Sequence, residues 1–388
     1  VIRVVITGTG AVSPLGVTPA ALWRGVLDGR SGIQRHDRLA GLEVTTGGEV
    51  DWSALEVSNE AGHTVAERDQ LIASRAIDDA LAEARREPSD TGFVWGTALD
   101  TYQRGADGLV HRSAGGCFAS LAARFAAPRR MLAVACATGT AAIGEAFQLV
   151  RSGRAEACVA GGSSVMLGPF YLIGFHALRA VAVDDLSEPA GAACKPFDRR
   201  RRGFALSDGA GALVVESLES ARRRGVEPLA EVVGYGASQD AFDLNRPPAD
   251  GAGALLAMRR ALADAELEAS AVHAVNAHGT GTLAGDIAEA AALRALFGDA
   301  WSRVPVSSLK GAIGHTMAAA GALEAIAAVA TCRTGIVPPT ANLEDPDEAC
   351  ALDHVIGAPR ETAATCVISV SFGMGGQNSA IVLSRLAS

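Results

Sequence analysis

Short runs rich in Val and Ile alternate along the whole chain with longer Ala-rich stretches of helical spacing, and this alternation limits the possible folds most. The apolar runs at 3–7, 92–95, 131–135, 156–160, 211–216, 230–235, 271–276, 303–307 and 365–371 read as strands. The stretches 19–28, 69–85, 138–152, 251–265, 285–296 and 317–332 read as helices. Strands that are apolar throughout, rather than at every second position, are covered on both faces, which points to an α/β architecture with buried sheets. At 388 residues, 49% of them apolar and 20% charged, the chain has ample material for a large core, and intrinsic disorder is excluded. No Pro- or Ser-rich linker divides it. "MLAVACATGTAAIGEAFQLV" and "RVPVSSLKGAIGHTMAAAGALEAIAAV" both run from a strand through a Gly-bearing turn into an Ala-rich helix. Each is followed by an apolar strand meeting a Gly-rich stretch, so the sequence predicts a duplicated unit with halves 1–220 and 221–388.

The first strand runs into Gly8-Thr9-Gly10, as if into a dinucleotide-binding turn. That fingerprint needs a third Gly for close helix packing and a carboxylate ending a second strand about 20 residues on. Ser13 occupies the Gly position, and the nearest acid, Asp28, closes a helical stretch. The nucleotide reading fails on both counts.

A net charge of −9 gives no support to nucleic-acid binding, and an acidic partner would need a local basic patch. No apolar run reaches the roughly 18–20 residues that span a bilayer. No basic leader precedes an apolar stretch, so nothing here directs export. The seven cysteines lie far apart without a CxxC, which argues against zinc fingers and a disulfide framework and fits a reducing cytoplasm.

Three positions combine reactive side chains with strand ends, where open α/β sheets build their sites. Cys136 stands where an apolar run gives way to a helix. Unpaired N–H groups and the helix dipole there favour the thiolate. His278 lies in "VNAHGTGTLAGD", and His315 lies in "SSLKGAIGHTMAAAG", five residues after Lys310. Histidines among Gly and small residues have little packing role, and two of them 37 positions apart without HExxH spacing make no zinc site. With the Gly-rich loop at 373–376 they form a candidate catalytic constellation.

The chain resembles the β-ketoacyl-[acyl-carrier-protein] synthases of the two-histidine, elongating kind, over almost its whole length. The motifs that carry the resemblance are "VVITGTGAVSPLG", "VACATGTAAIGEA", "VAGGSS", "KPFDRRRRGFALSDGAGALVVE", "NAHGTGTLAGDIAE", "SSLKGAIGHTMAAAGALE", "VPPTANLEDPDEACALD" and "SFGMGGQNSAIVL". It implies a thiolase-like fold, two α/β halves in a layered α-β-α-β-α sandwich, with Gly8 and Gly10 in its first turn. By the same resemblance Cys136 is the acyl acceptor, His278 and His315 the decarboxylation pair, and Lys310 their supporting lysine, held by Glu324. Thr280 and Thr282 match threonines that bind the pantetheine arm, and Phe175 an aromatic beside the cysteine. Met374 and Gly375 belong to the gate loop over the substrate, with Phe372 in support. Arg179 and Arg68 match basic residues facing an acidic acyl carrier protein. Arg75, Arg129, Arg130 and Arg199–Arg202 are further candidates, although Arg201 is expected to make an internal contact. The enzyme would need no cofactor or metal of its own, since phosphopantetheine arrives on the carrier. A homodimer, or a heterodimer with a similar subunit, is implied.

The retained Cys136, His278 and His315 argue against the non-condensing chain-length-factor subunits of the same fold. A degradative thiolase would need a second cysteine in 372–377, and the Cys-His-Asn initiating synthases lack the second histidine. The chain departs from the family's pattern in four respects. Met374 and Gln377 replace Phe and Thr in the gate loop, the stretch between Gly96 and Cys136 is short, Ala141 stands in place of a frequent His, and Asp243 in place of another. The resemblance implies decarboxylative condensation of the bound acyl group with malonyl-acyl-carrier protein, elongating a fatty-acid chain or, as these departures favour, a specialised polyketide or polyene chain by two carbons.

Overall fold

The computed structural model describes residues 2–55, 63–97, 101–105, 108–112 and 114–386. Its large sheet contains β1 (Val4–Val12), β2 (Gly92–Thr97), β3 (Arg129–Leu132), β4 (Ala157–Ser164), β5 (Gly209–Ser217), β6 (Ala230–Gln239), β7 (Ala274–Asn276), β8 (Pro305–Ser307), β9 (Asp353–His354), β10 (Cys366–Phe372) and β11 (Gln377–Ser384). In the first half β1 is followed across the sheet by β5, β4, β2 and β3; in the second, β6 is followed by β11, β10, β7 and β8, with β9 beyond. Each half has two antiparallel pairings followed by two parallel ones. The halves therefore repeat one topology. They meet where Val4–Ile6 of β1 pair antiparallel with Ala230–Val232 of β6.

The helices relevant to the site are α1 (Pro19–Leu27), α2 (Val65–Ala84), α3 (Thr138–Arg151), α4 (Pro169–Ala177), α5 (Ala252–Asp264), α6 (Leu283–Phe297) and α7 (Ala320–Thr334). Side chains alternate along each strand, so one strand serves two cores. Leu213 and Val215 face the core that holds α3 and α7, whereas Ala212 and Val214 face α2. Likewise Ile381 and Leu383 face α3 and α7, while Ala380 and Val382 face α5 and α6. The order is thus helix, sheet, helix, sheet, helix, the layered thiolase-like sandwich.

Small residues let the central helices touch. A Cβ on Gly139 would lie 2.7 Å from the Ala322 nitrogen, and one on Gly321 would lie 2.1 Å from Oγ1 of Thr140. This contact brings the start of α3, after Cys136, against the start of α7, after His315.

The expected turn at Gly8 and Gly10 is not a turn, because β1 continues through both to Val12. A Cβ on Gly8 would sit 2.1 Å from the Ala80 carbonyl oxygen, and one on Gly10 1.8 Å from that of Ala76. These glycines let α2 cross the strand at close range. In the short 97–135 segment the described residues form strands Thr101–Gly105 and Gly108–Arg112 and a helix, Ala114–Ala122. Residues 98–100, 106, 107 and 113 of that stretch lie outside the described residues.

Candidate active site

Beyond β3 the chain turns sharply into α3. Thr138 Oγ1 accepts from the Val134 N–H at 2.8 Å and donates to the Ala135 carbonyl at 2.6 Å. Ala135 has φ +50°, a left-handed conformation that costs a non-Gly residue about 1–3 kcal/mol and persists only under surrounding constraint. The turn places Cys136 in a 3₁₀ segment at the N-terminus of α3, buried at 8% exposure. The favoured thiolate does not follow. Burial pushes the Cys136 thiol above its ordinary value, although the Met374 N–H, the Lys310 cation and its own N–H pull the other way. Desolvation of the anion outweighs the helix terminus.

His278 follows β7 directly. Its N–H and that of Gly279 donate to the two carboxyl oxygens of Glu289 on α6, each at 2.7 Å. Lys310 Nζ donates to the His278 carbonyl oxygen at 2.7 Å, to its ring Nδ1 at 3.3 Å, and to Glu324 of α7. With Nδ1 accepting, the ring proton sits on Nε2. His315 reaches the same tautomer through a different contact: the Met317 N–H donates to its Nδ1 at 3.2 Å, which leaves the proton on Nε2. That Nε2 is buried and has no hydrogen-bond partner among the described residues. The two rings meet edge to face with centroids 5.5 Å apart, and Phe372 and Phe204 pack edgewise on His278 and His315. Burial, followed by the Lys310 cation, holds both imidazoles well below the ordinary histidine value. Both are therefore neutral donors at physiological pH.

Cys136, His278 and His315 line one cavity of about 560 Å³, with Thr280, Thr282 and the gate loop on its walls. Thr280 and Thr282 hold each other through their hydroxyls at 2.9 Å. Asp286 accepts from the Gly281 N–H at 3.1 Å and the Phe197 N–H at 2.7 Å. Burial raises Asp286 to about 6 and Glu289 to about 8. Neither acid was singled out from the sequence. Their signal is two acids three residues apart in an Ala-rich helix that begins just beyond His278.

The gate loop closes the other wall. Gly373 donates to the Gln377 carbonyl at 2.6 Å, Gly376 to that of Gly373 at 2.9 Å, and Asp240 to that of Gly376 at 2.8 Å. Gly375 and Gly376 have φ +96° and +83°, which only Gly adopts freely. Met374 packs with Phe175 on the apolar cluster that contains Cys136.

Of the expected carrier-facing cations, Arg179 and Arg202 reach the mouth of the cavity. Arg179 is exposed, whereas Arg202 lies 3.4 Å from Asp185 and 3.3 Å from Glu188. The structure does not bring Arg68 there: its guanidinium lies over the Trp52 ring at 5.7 Å. Arg75, Arg130, Arg199 and Arg200 form local ion pairs, and Arg129 donates to the Phe125 carbonyl. Arg201 is buried between Asp286 and Asp347, the internal contact foreseen for it. Arg246, exposed at the mouth, was not anticipated.

A thiol at a helix start, sharing one cavity with two neutral Nε2–H donors, is the equipment of an acyl-transferring condensing enzyme on a thiolase-like fold. Residues 2–221 match the model of the beta-ketoacyl synthase N-terminal domain, and residues 229–344 that of its C-terminal domain. The chain belongs to the β-ketoacyl synthase family and is an acyltransferase of the β-ketoacyl-ACP synthase type. It is 34% identical over 412 positions to 3-oxoacyl-[acyl-carrier-protein] synthase 2 of Staphylococcus aureus, covering 99% of this chain and 98% of that one. A beta-ketoacyl synthase from Burkholderia phymatum has a similar solved structure, with TM-score 0.87, 31% identity and full coverage of both chains. So does a complex of a type II polyketide synthase acyl-carrier protein with its ketosynthase bound to the hexaketide, with TM-score 0.90, 28% identity, and coverage of 99% of this chain and 100% of that one. Among the described residues no helix is long and apolar enough to cross a membrane.

Proposed function

We propose that the protein extends a polyketide or polyene chain of a specialised pathway by two carbons, through decarboxylative condensation of an acyl group on Cys136 with malonyl-acyl carrier protein. The observation that carries this reading is the unpartnered, buried Nε2–H of His315, which shares one cavity with His278 and Cys136. In the first step the Cys136 sulfur attacks the carrier's thioester. The acyl–Sγ bond forms, the bond to pantetheine breaks, and the thiol proton passes to the departing pantetheine sulfur. Malonyl-carrier protein then loses carbon dioxide, and its thioester oxygen takes the negative charge. Preorganised donors aimed at developing charge are the largest single source of such catalysis, and the two imidazoles are placed to supply them. The enolate carbon attacks the acyl carbonyl, with the Cys136 and Met374 N–H groups as the oxyanion donors. Collapse expels the Cys136 sulfur, which takes a proton from solvent. Lys310, held by Glu324, fixes the His278 tautomer. Thr280 and Thr282 hold the pantetheine arm, which brings the phosphopantetheine group with the carrier, so the chain itself needs no cofactor.

The acyl carrier protein is the partner in this reading, docked at the mouth where Arg179 is exposed. A homodimer or a ketosynthase-like heterodimer is the assembly. The specialised pathway is favoured by Met374 in the gate, the short 97–135 segment, and the likeness to the polyketide ketosynthase complex. Retention of all three reactive groups weighs against a non-condensing chain-length-factor role; the ishigamide ketosynthase/chain length factor is nonetheless similar at TM-score 0.85 and 29% identity. The test is intact-protein mass spectrometry after incubation with a panel of acyl-carrier proteins, followed by malonyl-carrier protein. An acyl mass on the wild type but not on Cys136→Ala, and then a product two carbons longer, is expected. Absence of any acyl adduct across the panel would overturn the reading.

A further inference from the structure

The gate loop contains a buried acceptor that has no donor among the described residues. Oε1 of Gln377 is buried and unpartnered, and it lies 3.0 Å from where a Cβ on Gly375 would be. The cross-strand partner of Gln377 is Gln239, the last registered pair of β6 and β11. Directly opposed residues of an antiparallel pair project from the same face with Cβ atoms about 4.5–5.5 Å apart. The amide N–H of Gln239 donates to the Gly375 carbonyl. The Gln239 amide nitrogen has two N–H groups; one is engaged on the Gly375 carbonyl, and neither reaches the empty Oε1 of its cross-strand partner Gln377. An unsatisfied buried acceptor carries a free-energy cost, whereas a single neutral hydrogen bond from an exposed side chain is weak enough to exchange.

The remaining ties show which part of the loop is free to move. Its base is anchored, because the Gly376 carbonyl accepts from the Asp240 N–H at 2.8 Å and from Nδ2 of Asn378 at 3.1 Å, and that amide also reaches Asp240 at 2.7 Å. The Gly375 carbonyl is held by Gln239, and Gly375 has no Cβ to resist rotation. Met374, the next residue towards the chain start, packs against the apolar cluster that contains Cys136 and lines the same cavity.

We propose that Gln239 and Gln377 form a two-position latch on the gate loop. With the Gln239 amide on the Gly375 carbonyl, Met374 is held over the Cys136 sulfur. When that amide moves to Oε1 of Gln377, the loop tip is released and the sulfur is uncovered. The inference rests on the reading of Cys136 as acyl acceptor, and it makes the two glutamines positioning residues that set how readily acyl groups enter.

The latch is tested by the rate at which iodoacetamide alkylates Cys136, followed by intact mass, which needs no turnover. Gln377→Leu removes the unsatisfied atom from the closed state and the acceptor from the open one, so both changes favour closure. Gln377→Glu places an anion in the buried position and favours opening. Labelling should slow by at least about five-fold in Gln377→Leu and quicken by at least about five-fold in Gln377→Glu, the size of shift that one hydrogen bond produces. Unchanged rates, or shifts in the same sense, would overturn the latch. If Gln377→Glu does not fold, Gln377→Leu alone decides, and a rate equal to or faster than that of the wild type refutes the proposal. Opposite shifts in a protein that takes no acyl group would leave the latch standing and sink the condensation reading. Unchanged labelling in an enzyme that acylates normally would sink only the latch.

Discussion

Nζ of Lys310 lies 3.3 Å from Nδ1 of His278 and 2.7 Å from the carbonyl oxygen of the same residue, so one buried cation fixes both the ring and the backbone of that histidine. His315 reaches the same protonation pattern by other means, through the Met317 N–H. Two unrelated contacts give one result, an Nε2–H directed away from the supporting structure.

Both imidazoles are held well below the ordinary histidine value, by burial first and then by Lys310. A base with a lowered value stays neutral as pH falls through that ordinary value and gains its proton only further down. Malonyl decarboxylation should therefore stay level as pH is lowered through about 6.5 and fall only below it. A decline centred on 6.5 would show that the rings titrate freely. His278→Ala or His315→Ala should lower decarboxylation by about 10²–10³-fold, as expected for the loss of one donor to developing charge. Acylation of Cys136 should persist in part, and equal loss of both half-reactions would remove the histidines from the later step.

Lys310 and Glu324 form an ion pair with no exposed side-chain surface. Removing one partner of such a pair strands a buried charge and typically destabilises by about 3–5 kcal/mol, whereas replacing both by apolar residues is often neutral. Glu324→Ala should lose about that much stability in urea denaturation. The double substitution Lys310→Met with Glu324→Leu should recover most of it while leaving decarboxylation impaired. Recovery of decarboxylation in the double variant would show that Lys310 acts only as a structural residue.

Burial raises the Cys136 thiol above its ordinary value, so its thiolate forms less readily than that of an exposed thiol. The alkylation rate at Cys136 should keep climbing beyond pH ~8.5, the unperturbed value. A plateau below that point would mean that the helix terminus overrides desolvation. Cys136 should still be labelled ahead of the other six cysteines, which are all buried, since it alone among them lines the cavity. Cys136→Ala should abolish acyl transfer and condensation.

Most strands of the large sheet and six of its flanking helices were legible because apolar runs and Ala-rich periods report burial directly, whereas α4 (Pro169–Ala177) was not read. Cys136, His278 and His315 were legible because reactive side chains stood among residues too small to require them for packing. Gly8 and Gly10 were misread because a glycine that admits a crossing helix looks, in sequence, like a glycine that makes a turn. The chain position of α2, more than fifty residues away, decides between the two. The thiol's protonation was misread for a similar reason. The helix start is visible in the sequence, whereas the depth of burial belongs to the whole fold. Glu289 and Gln239 were missed because their partners, His278 and Gly375, are reached only through tertiary pairing. Strand β11 was not separated from the Gly-rich stretch before it, since its hairpin partner follows almost without a break.

Met374 is the residue near the chemistry that departs furthest from the family's pattern. Its backbone N–H is one of the groups that favour the Cys136 thiolate, and its side chain packs on the same cluster as Phe175. A substitution there therefore leaves the donor in place and changes only the cover. Met is unbranched and flexible and fits irregular space, whereas Phe is a rigid plate. Met374→Phe should accordingly fold, keep Cys136 reactive to a small thiol reagent, and transfer its best short acyl group at a rate within about three-fold of the wild type, a difference of less than about 1 kcal/mol in barrier. Longer or branched acyl groups need the loop displaced past a larger obstacle and should lose rate progressively with size. Acyl-transfer rates measured across a chain-length series on carrier protein check this. A profile that is uniformly lowered, or unchanged at every length, would show that the side chain at 374 does not select the acyl group.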